Sequence, residues 1–470
     1  MIGKKTFKIN DQKKFSSFSG DFNPIHLDKN ESTKTHAGQP IVHGVHIALW
    51  VLDIFNIELR TGITIAANFK SQVNLNEQIL ATYDHDRKKI LITSIDQNKI
   101  FCILKIKKNK SSKPIKPNNN KVALLTNNII PDDPKFETIL VNEKNYDLYG
   151  GQELNLGKNL FPFLAQDIGL NALYEIACLS SIVGMKVPGK HSLFIDLNIS
   201  FLNLDNNKSY FIVKSKHEIL KLISLNYFGV NLNADIKTIY RPQPTLIKSF
   251  DNLKLEYKYD DSLKEKKVLV IGGSRGIGAY VTKLCAMMGA KVFFTYNSNK
   301  SDAQSIKKEA LYHEYQVNFG KLNITKFDDI YNFDEAFDQV YYFATPKITL
   351  NESDIINKTL MDKYTLFYVK SFKEVLEHFI SKNKYSKFLY PSTSYIDENR
   401  NDFKEYILTK LEGEKICRNY NKVFSNSILF PRIPPLNTDQ NLSILPKNNK
   451  NTSDYAFKLI KLMNGERVSF

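Results

Sequence analysis

Ser19-Gly20-Asp21-Phe22-Asn23-Pro24-Ile25-His26-Leu27-Asp28, followed after a short polar interval by Ile41-Val42-His43-Gly44-Val45-His46, is the stretch on which the reading of this chain turns. An acid and an imidazole five residues apart do not share one helical face, yet an Asn-Pro turn between them lets both converge on a single small volume. Such a pair can activate water. Asp21 can accept a hydrogen bond from it, and His26, with an ordinary pKa near neutrality, can take or return the proton during addition to, or elimination from, a double bond. Gly44 has no side chain and stands where the apolar helical run begins, so its backbone N–H can face a developing oxyanion. This is the chemistry of a thioester enolate. An isolated Asp and His would instead be read as a capped turn beside a surface histidine, and the second string reverses that reading.

From Phe15 to about Val73 the two strings resemble the MaoC-like, (R)-specific enoyl-thioester hydratases and dehydratases. The signature of that family is Ser-Gly-Asp-x-Asn-Pro-x-His-x-Asp followed by an apolar-His-Gly string. The resemblance implies a hotdog fold, with Asp21 and His26 as the catalytic pair, Asn23 orienting them, and the Gly44 N–H polarising the thioester carbonyl. The pattern from Phe7 to Lys107 suits a helix wrapped by an antiparallel sheet. The motif loop leads into an apolar helical run from about Val45 to Ile57, then alternating strands such as Ile65–Phe69 and Ile90–Ser94.

The chain has 470 residues, enough for two to four domains, and its 42% hydrophobic content supports packed cores. No apolar run is long enough to span a bilayer and Met1-Ile2-Gly3-Lys4-Lys5 is no signal-peptide core, so a cytoplasmic protein is expected. Cys102, Cys178, Cys285 and Cys417 lie too far apart for a zinc motif or a disulfide framework, and no metal site is expected. The net charge of +16 attracts polyanions, but scattered lysines without an aromatic-basic motif argue against specific nucleic-acid recognition. The phosphates of coenzyme A and NADPH, or an acidic acyl carrier protein, would use the same charge.

Lys107 to Pro134, containing Ser111–Pro114 and Pro117–Asn120, has the composition of a solvated connector. Beyond it the pattern repeats imperfectly. An apolar run from Leu164 to Val183 precedes alternation of Leu193, Ile195, Leu197, Ile199 and Phe201, as Ile65, Ala67, Phe69 and Val73 alternate earlier. The segment before that run, Tyr149–Leu154, has neither an Asp-His pair nor an Asn-Pro turn. By resemblance to double-hotdog proteins, one half keeps the chemistry and the other lines the acyl tunnel. Asp167 and His191 are candidates for a hidden second site, but are read first as a helix-initiating acid and a strand-edge histidine. Arg241-Pro242-Gln243-Pro244 closes this half, and a charged linker is expected to about Lys264.

Then the period changes. Lys267–Ile271 is a continuous apolar strand running into Gly272-Gly273-Ser274-Arg275-Gly276-Ile277-Gly278, with an apolar helix behind it and a second strand from Lys291 to Thr295. A glycine turn between strand and helix lets the backbone approach a pyrophosphate at the helix N-terminus. The second strand ends in Tyr296-Asn297-Ser298-Asn299-Lys300, which has no acid for a ribose diol. Arg275 with Ser298 and Lys300 suits a 2′-phosphate, so NADP(H) is expected over NAD(H).

From about Lys266 to the C-terminus the chain resembles the short-chain dehydrogenase/reductases, whose Tyr-x-x-x-Lys pair is present as Tyr406-Ile407-Leu408-Thr409-Lys410. The resemblance implies that Lys410 lowers the Tyr406 pKa and binds the nicotinamide ribose, while Tyr406 gives a proton to the substrate carbonyl. Thr393, with Ser392 next, would hold the substrate oxygen, and Thr438 would meet the nicotinamide amide. Three positions depart from the family pattern. Phe343-Ala344-Thr345-Pro346 replaces Asn-Ala-Gly with Ala344 retained at the cofactor, Asn323 replaces an adenine-contacting Asp, and the relay Asn is replaced near Tyr364.

The expected fold is therefore an α+β double hotdog, with domains at 1–108 and 135–245, followed by an α/β Rossmann domain, a doubly wound parallel sheet, at 262–470. The expected function is bifunctional: an NADPH-dependent 3-oxoacyl-thioester reductase joined to a 3-hydroxyacyl-thioester dehydratase, acting on acyl-CoA or acyl carrier protein thioesters, with a homodimer left open. Two alternatives stay open: a reductase for another carbonyl, or a non-catalytic carrier-protein-binding module.

Overall fold

Alternation of buried and less buried residues, clearest at residues 63–67, Leu222–Phe228 and Leu232–Tyr240, marks strands of the first unit, Met1–Gln243. In the computed structural model, which describes residues 1–59, 63–108, 129–146, 148–201, 208–258, 260–351, 355–398, 400–423, 428–441 and 449–470, ten strands of this unit join one sheet. They are β1 (Ile2–Thr6), β2 (Ile63–Phe69), β3 (Gln78–Asp84), β4 (Lys89–Ser94), β5 (Ile100–Lys108), β6 (Lys144–Asn145), β7 (Ser192–Phe201), β8 (Tyr210–His217), β9 (Leu222–Phe228) and β10 (Leu232–Tyr240). Of the connector expected at Lys107 to Pro134, residues 109–128 lie outside the described residues, and Asp132 in the described part donates its N–H to the Met185 carbonyl at 2.8 Å.

The strand order is β1-β3-β4-β5-β2-β7-β10-β9-β8-β6, antiparallel throughout. The two halves mirror each other about the β2–β7 pair, where Thr64 stands opposite Ser200 and Asn68 opposite Asp196. Each half therefore has the same topology, which is the spatial form of the imperfect repeat in the sequence. On β2, Ile63, Ile65 and Ala67 point into the core; on β7, Leu197, Ile199 and Phe201 do.

Against the sheet lie two central helices, Gly44–Ile54 and Gly169–Ser181, which also touch each other. From Val45 to Leu52 every residue of the first is buried, as expected of a helix apolar on all sides. The second continues into a π-helical turn at Ile182–Lys186. Asp167 does not initiate this helix. It ends the preceding one, Pro162–Asp167, and its Oδ2 accepts from the Leu59 N–H at 2.5 Å.

The second unit, from Pro244 onward, is built on parallel strands β11 (Lys267–Ile271), β12 (Lys291–Tyr296), β13 (Val317–Lys321), β14 (Gln339–Tyr342), β15 (Lys387–Leu389) and β17 (Ile428–Leu429); a separate two-residue pair joins β16 (Ser392–Thr393) to β18 (Arg432–Ile433). The order β13-β12-β11-β14-β15-β17 reverses direction between β11 and β14, so the crevice beyond their carboxyl ends is a topological switch point. Both faces are covered. Val268 and Val270 of β11 join a core with the helices Gly276–Met287 and Thr452–Met463, while Leu269 and Ile271 join the opposite one with Ser371–Lys382. The stretch expected as a charged linker instead holds a helix, Phe250–Glu256. Ser249 caps it by accepting from the Asn252 N–H, and Phe250 and Leu253 are buried. Two apolar residues three apart anchor about two turns in an otherwise charged segment.

Candidate functional sites

In the first unit the motif loop follows the helix Ile9–Ser19, which Gly20 closes in a left-handed conformation. Asn23 then caps the short helix Pro24–Leu27, its side-chain oxygen accepting from the Ile25 N–H at 3.1 Å with Pro24 in the first turn. This turn carries His26 back over Asp21. One side-chain atom each of Asp21, His26 and His43 lies within 4.8 Å of the others.

The hydrogen bonds define how His26 and Asp21 are held. Nδ1 of His26 faces the Ile41 carbonyl at 2.9 Å and must donate to it, which leaves Nε2 as an acceptor. Asp21 Oδ1 accepts from the Asn23 N–H at 3.1 Å and Oδ2 from the Ser180 hydroxyl at 2.6 Å. Burial pushes the Asp21 carboxyl up to about 7 despite both bonds. Burial first, and the charge of Arg241 in addition, lower His26 to about 4. His43 stacks on His26 with ring centroids 3.7 Å apart and is held by Gln12 Oε1 at 2.8 Å and the Asp21 carbonyl at 3.1 Å. Burial, with His26 and His46 nearby, holds its pKa well below the usual histidine value. Gly44 is the first residue of the central helix, where backbone N–H groups have no intrahelical acceptor.

Much of this loop is held by the half that lacks the motif. Besides Ser180, the Gly184 and Gly189 carbonyls accept from Asn23 Nδ2 at 2.8 and 3.0 Å. A Cβ on Gly184 would stand 2.6 Å from Asp21 Cγ, so only glycine lets the π-helical turn come this close. Nothing in the local sequence marks Ser180 or Gly184; only the repeat hints that one half lines the other. Asp167 and His191 do not converge: His191 Nε2 meets Asp133 Oδ1 at 3.0 Å.

In the second unit Gly272 adopts φ +80 at the end of β11, its backbone against Phe343 and the Ala344 nitrogen. Gly276, Ile277 and Gly278 open the following helix, and Thr438 lies against Gly276. Asn297 and Ser298 are exposed beyond β12, and Ser274 is half-buried in the glycine turn. Arg275 is paired: Nη2 lies 2.5 Å from Asp439 Oδ2, and Nε lies 3.9 Å from Asp302 Oδ2. Residues 296–300 hold no acid, yet the fold brings Asp302 to Arg275 from the first turn of the next helix.

Tyr406 and Lys410 share one face of the helix Lys404–Val423, as their spacing predicts, and both are buried. Thr393 hydrogen-bonds Tyr406, whereas Ser392 turns away to Glu414 Oε1 at 2.7 Å. The Tyr406 hydroxyl is pushed up rather than lowered, because burial among Tyr364, Tyr368 and Tyr395 outweighs the Thr393 bond. Lys410 does not offset it. Its Nζ donates to the Pro391 carbonyl at 2.7 Å, sits 4.1 Å from the Tyr368 ring centroid and 4.5 Å from that of Tyr390, and burial lowers its pKa to about 7. Tyr368, in a π-helical turn at Leu366–Lys370, rather than Tyr364, lies over the lysine, and its hydroxyl meets Thr345 Oγ1 at 2.5 Å.

Residues 4–98 match the family described as MaoC like domain, and residues 266–341 match short chain dehydrogenase. Among solved structures, a short-chain dehydrogenase/reductase from Serratia marcescens is 17% identical over 43% of this chain and 91% of its own, with a TM-score of 0.40. A dehydrogenase/reductase from Sinorhizobium meliloti is 16% identical over 44% and 92%, TM-score 0.40, and BdcA in complex with NADPH 19% over 43% and 88%, TM-score 0.38. No helix among the described residues is long and apolar enough to cross a membrane, and all four cysteines are free and buried. One chain thus joins a MaoC-like dehydratase domain at residues 4–98 to a short-chain dehydrogenase domain at residues 266–341.

Proposed function

We propose that the first unit adds water to, and removes it from, the double bond of 2-enoyl thioesters, and that the second reduces 3-oxoacyl thioesters with NADP(H). Reduction gives the 3-hydroxyacyl thioester that dehydration converts to the 2-enoyl product, so the two activities form a sequence. The observation that carries the reading is the meeting of a buried Asp21, whose pKa of about 7 allows it to be charged or neutral near neutrality, with the unprotonated Nε2 of His26. In hydration the water oxygen bonds to C3 while one of its protons passes by way of His26 to C2. Asp21 holds the water by accepting its other proton in a hydrogen bond, and the enolate oxygen faces the Gly44 N–H. Asn23 fixes the loop. The domain limits 1–108 and 135–245 make this a double hotdog, in which the second half supplies the floor under Asp21.

The glycine turn fits a dinucleotide: at φ +80, with the Phe343 and Ala344 backbone 3.0–3.1 Å from where a Cβ would stand, Gly272 lets the chain turn tightly into the helix Gly276–Met287, whose first N–H groups would face a pyrophosphate. Gly272, Ser274, Arg275, Gly276, Ile277 and Gly278 would hold it, with Asn297, Ser298, Ala344 and Thr438 around its ribose and amide ends. The nicotinamide would supply hydride. Tyr406 donates the proton to the carbonyl oxygen, Thr393 holds that oxygen, and Lys410 orients the ribose. Arg275 would meet a 2′-phosphate only in competition with Asp302 and Asp439, so the preference for NADP(H) is set by three side chains. The substrate is carried on coenzyme A or an acyl carrier protein, in the cytoplasm.

A second reading of the dehydrogenase unit, as a reductase for another carbonyl or a binding module, is favoured by the tyrosine rings packed over Lys410. A panel of thioesters with purified protein tests both. Hydration of short 2-enoyl thioesters together with NADPH oxidation by 3-oxoacyl thioesters is expected; hydration alone favours the second reading, and no hydration rejects the first.

A further inference from the structure

Arg241, directly after β10, is only 3% exposed. Its backbone N–H donates to the His191 carbonyl at 2.7 Å, and Nη2 to the Lys190 carbonyl at 2.5 Å. The same Lys190 oxygen lies 3.4 Å from Asn23 Nδ2, so the guanidinium sits one carbonyl away from the loop that carries Asp21 and His26. His26 feels its charge. Nε and Nη1 of Arg241 have no hydrogen-bond partner among the described residues. The carboxylates nearest in charge are engaged elsewhere: Asp133 with His191 at 3.0 Å and Lys190 at 3.7 Å, and Glu31 with Lys34 at 3.0 Å. Burial lowers the Arg241 pKa to about 10, which leaves it cationic at neutral pH.

A buried cation with two donor nitrogens unused is costly to keep unless something anionic fills the place. We propose that Arg241 binds a carboxylate on the acyl group of the substrate, so that the thioester handled at the Asp21–His26 site bears a second acid group. Burial beside Asn23 points to the acyl end. The phosphates of coenzyme A or of a carrier arm are separated from the thioester sulfur by the pantetheine chain and belong near the surface. The proposal rests on the hydratase reading of this site and adds the substrate class to it.

The test compares kcat/KM for hydration of crotonyl and fumaryl thioesters, which differ in a terminal carboxylate, each carried on coenzyme A and on phosphate-free N-acetylcysteamine. Wild type, Arg241→Gln and Arg241→Lys are assayed. Because each ratio is taken within one protein, partial loss of folded enzyme cancels. Wild type is expected to favour the fumaryl thioester by ~10-fold or more on both carriers, as charge-assisted hydrogen bonds to a carboxylate allow. Arg241→Gln should bring the ratio close to one, and Arg241→Lys should keep part of it. A wild-type preference for crotonyl, a ratio unmoved by Arg241→Gln, or an Arg241 effect seen only with coenzyme A would overturn the proposal, the last by assigning the arginine to phosphate. Failure to hydrate any of the four would instead reject the hydratase reading, and this proposal with it.

Discussion

Asp21 and Tyr406 are both buried acids whose pKa burial raises, but with opposite consequences. A carboxyl moved from the acid range to about 7 can hold or release a proton at neutral pH, whereas a phenol pushed further above its ordinary value is held more firmly protonated. The partner bases differ in the same way. His26 keeps an open nitrogen beside Asp21, while Lys410 spends its amine on the Pro391 carbonyl beneath two tyrosine rings. The same physical effect thus leaves a carboxyl that can exchange its proton near neutrality in the first unit and a phenol that stays protonated in the second. In both, a π-helical turn brings the deciding neighbour into place, Gly184 in one and Tyr368 in the other.

The contrast can be broken most sharply at His26. His26→Ala should lower kcat/KM for enoyl-thioester hydration by about 10²–10⁴-fold, the usual contribution of a general acid–base group, as read in a continuous hydration assay. Gly184→Ala should come next, at roughly 10–100-fold. Its new methyl group must displace the Asp21 carboxyl, overpacking of a kind that costs ~1–3 kcal/mol; wild-type turnover would mean that the turn yields without cost.

Ser180→Ala should have a smaller effect with a distinct signature. The Ser180 hydroxyl lowers the Asp21 pKa, so its loss raises that value further from about 7. If the carboxylate is the active form, hydration in wild type falls as pH drops through about 7, and in the variant this limb moves to higher pH by roughly one unit. Ser180→Thr, which keeps the hydroxyl, should restore the profile. A limb that stays in place in both variants would show that Ser180 only packs. The linkage to stability has the opposite sign. Folding raises the Asp21 pKa from an unfolded value near 4, so the folded state is favoured at low pH and loses that advantage as pH rises toward 7. The smallest expected effect is at Arg275. Because Asp302 and Asp439 already hold it, Arg275→Ala should narrow the NADPH-over-NADH preference by only a few-fold, on the order of 1 kcal/mol in a fluorescence titration.

Features encoded locally were legible in the sequence. The Asp21–Asn23–His26 turn, the glycine turn after β11 and the helical spacing of Tyr406 and Lys410 each follow from residues a few positions apart. The common topology of the two sheet halves was foreshadowed by periodicity. What stayed hidden depends on contacts between distant segments. Ser180 lies 159 residues from Asp21, and Asp439 lies 164 from Arg275, and neither has a composition or spacing that signals its partner. Arg241 read as the close of a domain, and only its burial without partners gave it another meaning. Tyr368, whose ring lies 4.1 Å from the Lys410 amine, sits in a π-helical turn that no local spacing announces.

The most direct test is a crossed assay of two near-isosteric variants in one preparation each, Asp21→Asn and Tyr406→Phe, with hydration of a short 2-enoyl thioester and NADPH-dependent reduction of a 3-oxoacyl thioester measured side by side. Asp21→Asn is expected to lose hydration by about 10²-fold or more and keep reduction, Tyr406→Phe to do the reverse, and the wild-type hydration product to be the (R)-3-hydroxyacyl thioester. Hydration at the wild-type rate by Asp21→Asn, or an (S) product, would contradict the hydratase reading.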